Sequence, residues 1–410
     1  MSVRELIALV VAGCLIGCGP RLITSGGVNA DRVAAIEQAI ATLRGRPFVP
    51  AANVAVLDSA AMGAVVTRLR LSDDSRRILG IWATIDHAFG DDQTDALDSV
   101  RRLPTDTSFG VYSPADDTVF IARARLDTSL AIGLREFLSG GQALAEIVLT
   151  HELAHAWQRR HFAALFAPTT DVDEWTAHQA VIEGDAEVTT LALTQHAIDA
   201  GALEAYLAMR RRMAVAAGQH PDTNRDWQLR YDRATRALCD VARGRGWAAL
   251  NALLANPPET TAAILDPEAA TSTATDAIDE PLTCPVGWDR AVDTGVGAFH
   301  IPPLLQLKTG PLLAMDGWRS DRLQICVRAE SSDFAWRWQS RWADDAAAER
   351  FHMAGRRHLQ RRYPSKDEAT DVARDSGRTS PARWIARRGR SVMMVDSSVA
   401  AIEIATPPEF

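Results

Sequence analysis

At 410 residues the chain exceeds one ordinary core, so it is expected to fold as a large domain plus a smaller one. Apolar residues make up 47% and charged residues 23%, the mix of a soluble globular protein. The net charge of −8 is dispersed, which argues against the basic face that nucleic-acid binding needs, and no stretch after residue 20 is long and apolar enough to span a bilayer.

The first residues form a distinct segment. Met1–Glu5 is short and polar with Arg4 as its positive charge, and Leu6–Gly17 is apolar over about the length of a signal-peptide core. The stretch ends in Leu15-Ile16-Gly17-Cys18, which resembles the bacterial lipobox. Val11-Ala12-Gly13-Cys14 fits the same pattern but leaves a core of only about eight residues, at the short limit. Residues 1–17 are therefore expected to be a lipoprotein signal peptide, with Cys18 as the lipid attachment and the mature chain in the cell envelope. Gly19, in place of the aspartate associated with inner-membrane retention, favours the outer membrane. Loss of residues 1–17 removes one Arg and one Glu and leaves the charge at −8. Cys239, Cys284 and Cys326 then remain beside Cys18. One disulfide can form among them, and spacing alone does not choose it. None lies in a CxxC pattern, so sulfur ligation of a metal is not expected.

Asp31–Arg46 has the period of an amphipathic helix, with Val33, Ile36, Ile40 and Leu43 on one stripe. Phe109–Tyr112 and Thr118–Ala122, separated by Ser113-Pro114-Ala115-Asp116-Asp117, predict a β-hairpin. Helix is predicted from Ala143 to about Leu165, from about Asp173 to Ile198, and over Leu203–Ala217 and Asp226–Arg243. Composition shifts at 256–281 to an aperiodic mixture of Ala, Thr, Asp and Pro, the mark of an irregular connection. Beyond it, β-rich runs (Leu323–Arg328, Ala335–Trp338, Val392–Val395) flank a helix at Asp344–Arg361. The fold expected is α+β: a largely helical, zincin-like domain over 18–280, then a smaller α+β domain over 281–410.

The chemistry is concentrated in Thr150-His151-Glu152-Leu153-Ala154-His155. Residues four apart share a helix face, so His151 and His155 can reach one metal ion, with Glu152 about 100° round the helix and able to engage a metal-held water. Zinc suits two imidazoles and a carboxylate with a fourth position open, and it acidifies water enough for a glutamate to take the proton. Ile147, Val148, Leu149, Leu153, Ala154 and Trp157 surround the motif, so these polar groups are flanked by apolar ones and need partners. The alternative is a pair of satisfied core histidines.

Val181-Ile182-Glu183-Gly184-Asp185-Ala186-Glu187 supplies the third ligand. Glu183 follows His155 after 27 residues, enough for an antiparallel helix to return beside the first. Gly184 and Ala186 permit close helix approach. Asp185 lies about 200° round from Glu183, so both cannot face the metal, whereas Glu187 shares Glu183's face and can orient a ligand histidine. A solvated helix face is the competing reading for Asp185 and Glu187.

HExxH with a downstream helical glutamate resembles the gluzincin clan of metallopeptidases, of which thermolysin is the familiar member. More narrowly, the run from His151 to Phe162 (HELAHAWQRRHF), EGDA at 183–186 and NPPETT at 256–261 resemble a bacterial family of gluzincin-like lipoproteins. Gly317-Trp318-Arg319-Ser320-Asp321-Arg322 and Asp344-Asp345-Ala346 resemble it too, so the likeness runs from about residue 105 to the end. It implies a zinc peptidase acting on a peptide or protein, with Glu152 as base and Tyr231 as donor to the oxyanion. A packing role for Tyr231 stays open, and His220 and His178 are weaker candidates. The chain departs from the pattern at Ala234, where glycine is usual, and at Asp266, where a histidine is expected. The Thr118–Ala122 strand precedes the metal helix, as does the substrate-aligning edge strand of gluzincins, although an internal strand is equally compatible. Trp318, Trp336, Trp338 and Trp342 read as core. Two further functions remain compatible with these residues: a zincin-fold surface lipoprotein acting as a binding or assembly module with little turnover, and hydrolysis of a non-peptide amide such as cell-wall material.

Overall fold

The structure is a computed structural model that describes residues 22–24, 27–70, 72–90, 108–123, 143–222, 224–265, 278, 283–306, 316–329, 331–363 and 381–400. Residues 1–21, with Cys14 and Cys18, and Asp266 lie outside the described residues. In chain order the elements are β1 (Ile23–Thr24), β2 (Gly27–Val28), α1 (Ala30–Arg44), β3 (Asn53–Leu57), α2 (Ser59–Arg70) and α3 (Asp73–Phe89). Next come β4 (Gly110–Ser113), β5 (Thr118–Ala122), α4 (Ala143–His161), α5 (Val172–Gln195), α6 (Ala200–Ala216) and α7 (Ala234–Ala255). The last are β6 (Trp288–Thr294), α8 (Gly297–Leu304), β7 (Trp318–Arg328), β8 (Phe334–Trp342), α9 (Asp345–Arg362), β9 (Pro381–Arg388) and β10 (Ser391–Ala400). The class is mixed α+β, a helical part followed by a smaller β-rich one.

Two compact units divide the chain, and they are not contiguous in sequence. The first takes residues 1–71, 103–167 and 179–257, and the second takes 72–102, 168–178 and 258–410. The reason lies in α3, a helix the periodicity reading passes over. Its Ile85, Ala88 and Phe89 are buried in the tryptophan core of the second unit, Phe89 stacks on Trp336 at 4.6 Å, and the Trp336 indole N–H donates to the Ala88 carbonyl.

In the first unit, α4 and the part of α5 from Gln179 onward are apolar on several sides and correspondingly buried. Helix α1 departs from the amphipathic expectation. Its buried stripe is Val33, Glu37, Ile40 and Arg44, two apolar and two charged residues, and Ile36 and Leu43 lie to the side. Asn29 caps its start by accepting the N–H groups of Asp31 and Arg32, and Gly45, at φ +67°, ends it in the left-handed conformation. A three-stranded sheet runs β3-β5-β4, with β3 parallel and β4 antiparallel to β5. The strand Thr118–Ala122 is therefore central, with β3 and β4 at the two edges of this sheet.

The second unit holds a five-stranded antiparallel sheet in the order β6-β7-β8-β10-β9. Trp318, Trp336, Trp338 and Trp342 are buried with Phe351 and Leu359 of α9 in one core. The Gly317–Arg322 and Asp344–Ala346 motifs of this region meet architectural partners. Asp321 accepts the indole N–H groups of Trp318 and Trp338 and the backbone N–H groups of Val296 and Gly297. Asp344 caps α9 through the N–H of Ala347, and Gly317 leaves room for the Ala347 methyl, which would stand 2.8 Å from a Cβ there. Cys284 and Cys326 are joined in a disulfide, and Cys239 is a buried free thiol of the first unit. No helix among the described residues is long and apolar enough to cross a membrane.

The NPPETT segment also serves this unit. The backbone N–H and hydroxyl of Thr261 both donate to Asp173 Oδ1, while Asp173 Oδ2 is buried with no hydrogen-bond partner. Burial, helped by the nearby Asp321 and Asp171 carboxylates, pushes the Asp173 carboxyl up to about 8. A carboxyl raised on folding keeps its proton where the unfolded chain has lost it, so its contribution is full below the unfolded value near 4 and is lost as pH rises through about 8. Asp173→Asn, which keeps an acceptor for Thr261 without the charge, is expected to gain stability relative to wild type between pH 5 and pH 9. The gain is on the order of a few kcal/mol by chemical denaturation. A difference that stays flat over this range would show that Asp173 is already ionised at pH 5.

Candidate metal centre

Helix α4 presents His151 and His155 one turn apart, and α5 returns with Glu183 opposite them. Their ligating atoms converge. His151 Nε2 and His155 Nε2 are 3.0 Å apart, and Glu183 Oε2 lies 3.3 Å from the first and 3.5 Å from the second. Three donors around a tetrahedral ion at about 2.0–2.1 Å stand roughly 3.3–3.4 Å from one another, so this triangle has the size of a metal site. Glu183 Oε2 is buried with no well-aligned hydrogen-bond donor, which is compatible with its facing an ion. Among the described residues this is the one group of three or more such side chains close enough to hold a metal.

The electrostatics match. Burial opposes the charge on Glu183, but His155 and His151 outweigh it and hold the carboxyl well below its ordinary range. Burial lowers His155 in turn, and Glu183 outweighs that and lifts it to about 9, so a proton must leave the ring before it ligates a metal. Glu152 stays out of the triangle. Its Oε2 accepts the backbone N–H of Tyr112 on edge strand β4 at 2.8 Å, and burial raises its carboxyl against the pull of the two histidines.

A cleft opens beside these groups, lined by His151, Glu152, Tyr231, Gly110, Met213 and Trp227 among others. Gly110 is required there: a Cβ would stand 2.7 Å from Val148 and 3.1 Å from the Glu152 side chain. Tyr231 sits in a π-helical stretch, Gln228–Arg233, an element frequent at functional sites. Burial and then Glu183 push its phenol well above the ordinary value, so it keeps its proton to donate. His178 lies beside Glu174, 4.0 Å away, and neither it nor the exposed His220 lines the cleft.

Asp185 and Glu187 are fully buried, which corrects the solvated-face reading of both. Glu187 Oε1 lies 3.6 Å from His151 Nδ1, and its carboxylate is held by the Tyr206 hydroxyl and the Arg210 guanidinium. Asp185 faces away from the triangle toward Arg44 and Gln158. Gly184 admits Ala234, whose Cβ would stand 2.8 Å from a Cβ at 184, so the space for the alanine at 234 is provided by the glycine opposite. Arg44, Gln158, Tyr206, Arg210 and Asn251 escaped the sequence reading. Gln158, three residues after His155 on the same helix face, carried a usable signal. Arg44 looks like an ordinary basic helix end.

A family model described as a domain of unknown function (DUF8575) matches residues 308–404, within the second unit. No curated protein and no solved structure matches the chain.

Proposed function

We propose that this protein is a zinc-dependent hydrolase, and specifically a peptidase of gluzincin type. The observation that carries the reading is the convergence of His151, His155 and Glu183 to within 3.0–3.5 Å beside a carboxylate, Glu152, that is not one of the three. Two imidazoles and one carboxylate suit zinc and leave a fourth position. Bound there, zinc would act as a Lewis acid that polarises a carbonyl and acidifies water. The protein's own groups do the rest. Glu152, oriented by the Tyr112 N–H, takes the proton of the attacking water and returns it to the departing amine. Tyr231 donates to the developing oxyanion. Strand β4, at the sheet edge and lining the cleft through Gly110, offers an extended peptide a backbone to pair with.

The test is metal content against cleavage. Purified protein is expected to hold about one zinc per chain and to cut unstructured peptides, and His151→Ala and Glu183→Ala are expected to lose the metal. Zinc retained in Glu183→Ala would remove Glu183 from the ligand set, and a wild-type protein with no affinity for zinc would overturn the reading.

A further inference from the structure

We propose that Gln158 is a positioning residue for the metal site: it fixes the tautomer of His155, and the buried Asp185–Arg44–Asn251 chain fixes Gln158. The inference rests on the metal-site reading above. His155 Nδ1 lies 3.0 Å from Gln158 Oε1. Which way the amide points is settled by its other contacts, because Gln158 Nε2 donates to the Ile182 carbonyl at 2.9 Å and to Asp185 Oδ2 at 2.8 Å. A carbonyl and a carboxylate only accept, so the nitrogen must face them and the oxygen must face the imidazole. His155 Nδ1 then carries the hydrogen and donates, which leaves the Nε2 lone pair for the metal.

Asp185 is itself immobilised. Its Oδ1 accepts from Arg44 Nη1 at 2.7 Å, and both side chains are fully buried. Arg44 also donates to Asn251 Oδ1 through Nε and Nη2 and to Thr189 through Nη1, and the Asn251 amide returns a hydrogen bond to the Arg44 carbonyl. Each group in this chain has one hydrogen-bonding sense, so the polarity set by an arginine on α1 and an asparagine on α7 reaches the imidazole through two side chains. Gln158 is wholly inaccessible, and its amide cannot exchange one of these partners for water.

Three variants of the full chain separate positioning from packing. Zn²⁺ affinity is read by chelator competition and site geometry by the visible absorption of the Co²⁺-loaded protein, with folding confirmed by circular dichroism. Gln158→Leu keeps the volume and deletes the acceptor, and it is expected to weaken Zn²⁺ binding on the order of 10–100-fold and to alter the Co²⁺ spectrum. Asp185→Asn turns its amide donor toward Gln158, because Arg44 claims the oxygen, and it is expected to weaken binding as well. The double variant Gln158→Glu/Asp185→Asn restores an acceptor at His155 and moves the negative charge one link toward it. It is expected to recover most of the affinity and the wild-type spectrum, although a carboxylate then faces the Ile182 carbonyl. A packing role predicts the reverse order, with the double variant the worst. Wild-type affinity in Gln158→Leu, or a double variant no better than Gln158→Leu, would overturn the proposal. These readouts are metal retention and geometry, so they do not depend on whether the site cleaves peptides.

Discussion

Glu152→Gln is expected to keep its zinc and its fold while peptide hydrolysis falls on the order of 10²–10⁴-fold or more. Three features of the site lead there. Glu152 is not among the three converging ligand atoms, so the amide leaves the triangle of His151, His155 and Glu183 untouched. Glutamine retains an oxygen to accept the Tyr112 N–H, so the side chain stays in place against β4. What it loses is the ability to take a proton, the role proposed for Glu152, whose carboxyl is raised by burial. The comparison requires equal zinc loading and unstructured peptides as substrates. Cleavage by wild type no greater than by the zinc-loaded variant would move the balance to a binding or assembly module, for which Glu152 has no task.

The second large effect is on folding. Arg44 and Asp185 form an ion pair with no solvent exposure on either side chain. The Arg44 guanidinium also lies 4.5 Å from the Trp157 ring centroid and 5.4 Å from that of Trp247. Removal of one partner strands the other charge in the interior, so Arg44→Ala and Asp185→Ala are each expected to cost about 3–5 kcal/mol by urea denaturation. Arg44→Met/Asp185→Leu removes both charges and fills their volume, and it is expected to cost no more than the worse single variant. Single-variant losses below about 1 kcal/mol would mean that water reaches the pair. The contrast with Glu183→Ala is informative. That variant removes a proposed ligand and is expected to lose metal with the fold retained, whereas Asp185→Ala is expected to act on the metal only through the structure that supports the site.

The two carboxylates of the EGDA segment show what was legible in the chain. Three residues able to hold a metal were legible: a spacing of four on a helix puts two imidazoles on one face, and an acidic residue in the next helix, beside Gly184 and close to Ala186, meets them. The separation of about 200° between Glu183 and Asp185 follows from the same helical period, and the structure has Glu183 in the triangle and Asp185 against Arg44. Helices α4, α5, α6 and α9 and the hairpin β4–β5 were likewise legible, because apolar periodicity and turn residues act over a few positions.

Partners that are remote in sequence were not legible. Nothing near Arg44 marks it as the partner of a carboxylate 141 residues away, since a basic residue before a helix-ending glycine is ordinary at a surface. Nothing near Asp73–Phe89 shows that its apolar face belongs with tryptophans some 250 residues later, because apolar faces carry no address. Strand β5 reads the same whether it ends a sheet or sits inside one; its place at the centre was decided by β3, which pairs with it from 65 residues upstream. The sequence by itself determined which atoms can meet a metal, since helical geometry is local. The tertiary structure alone decided what holds those atoms in place, since burial and hydrogen-bond partnership are properties of the packed chain.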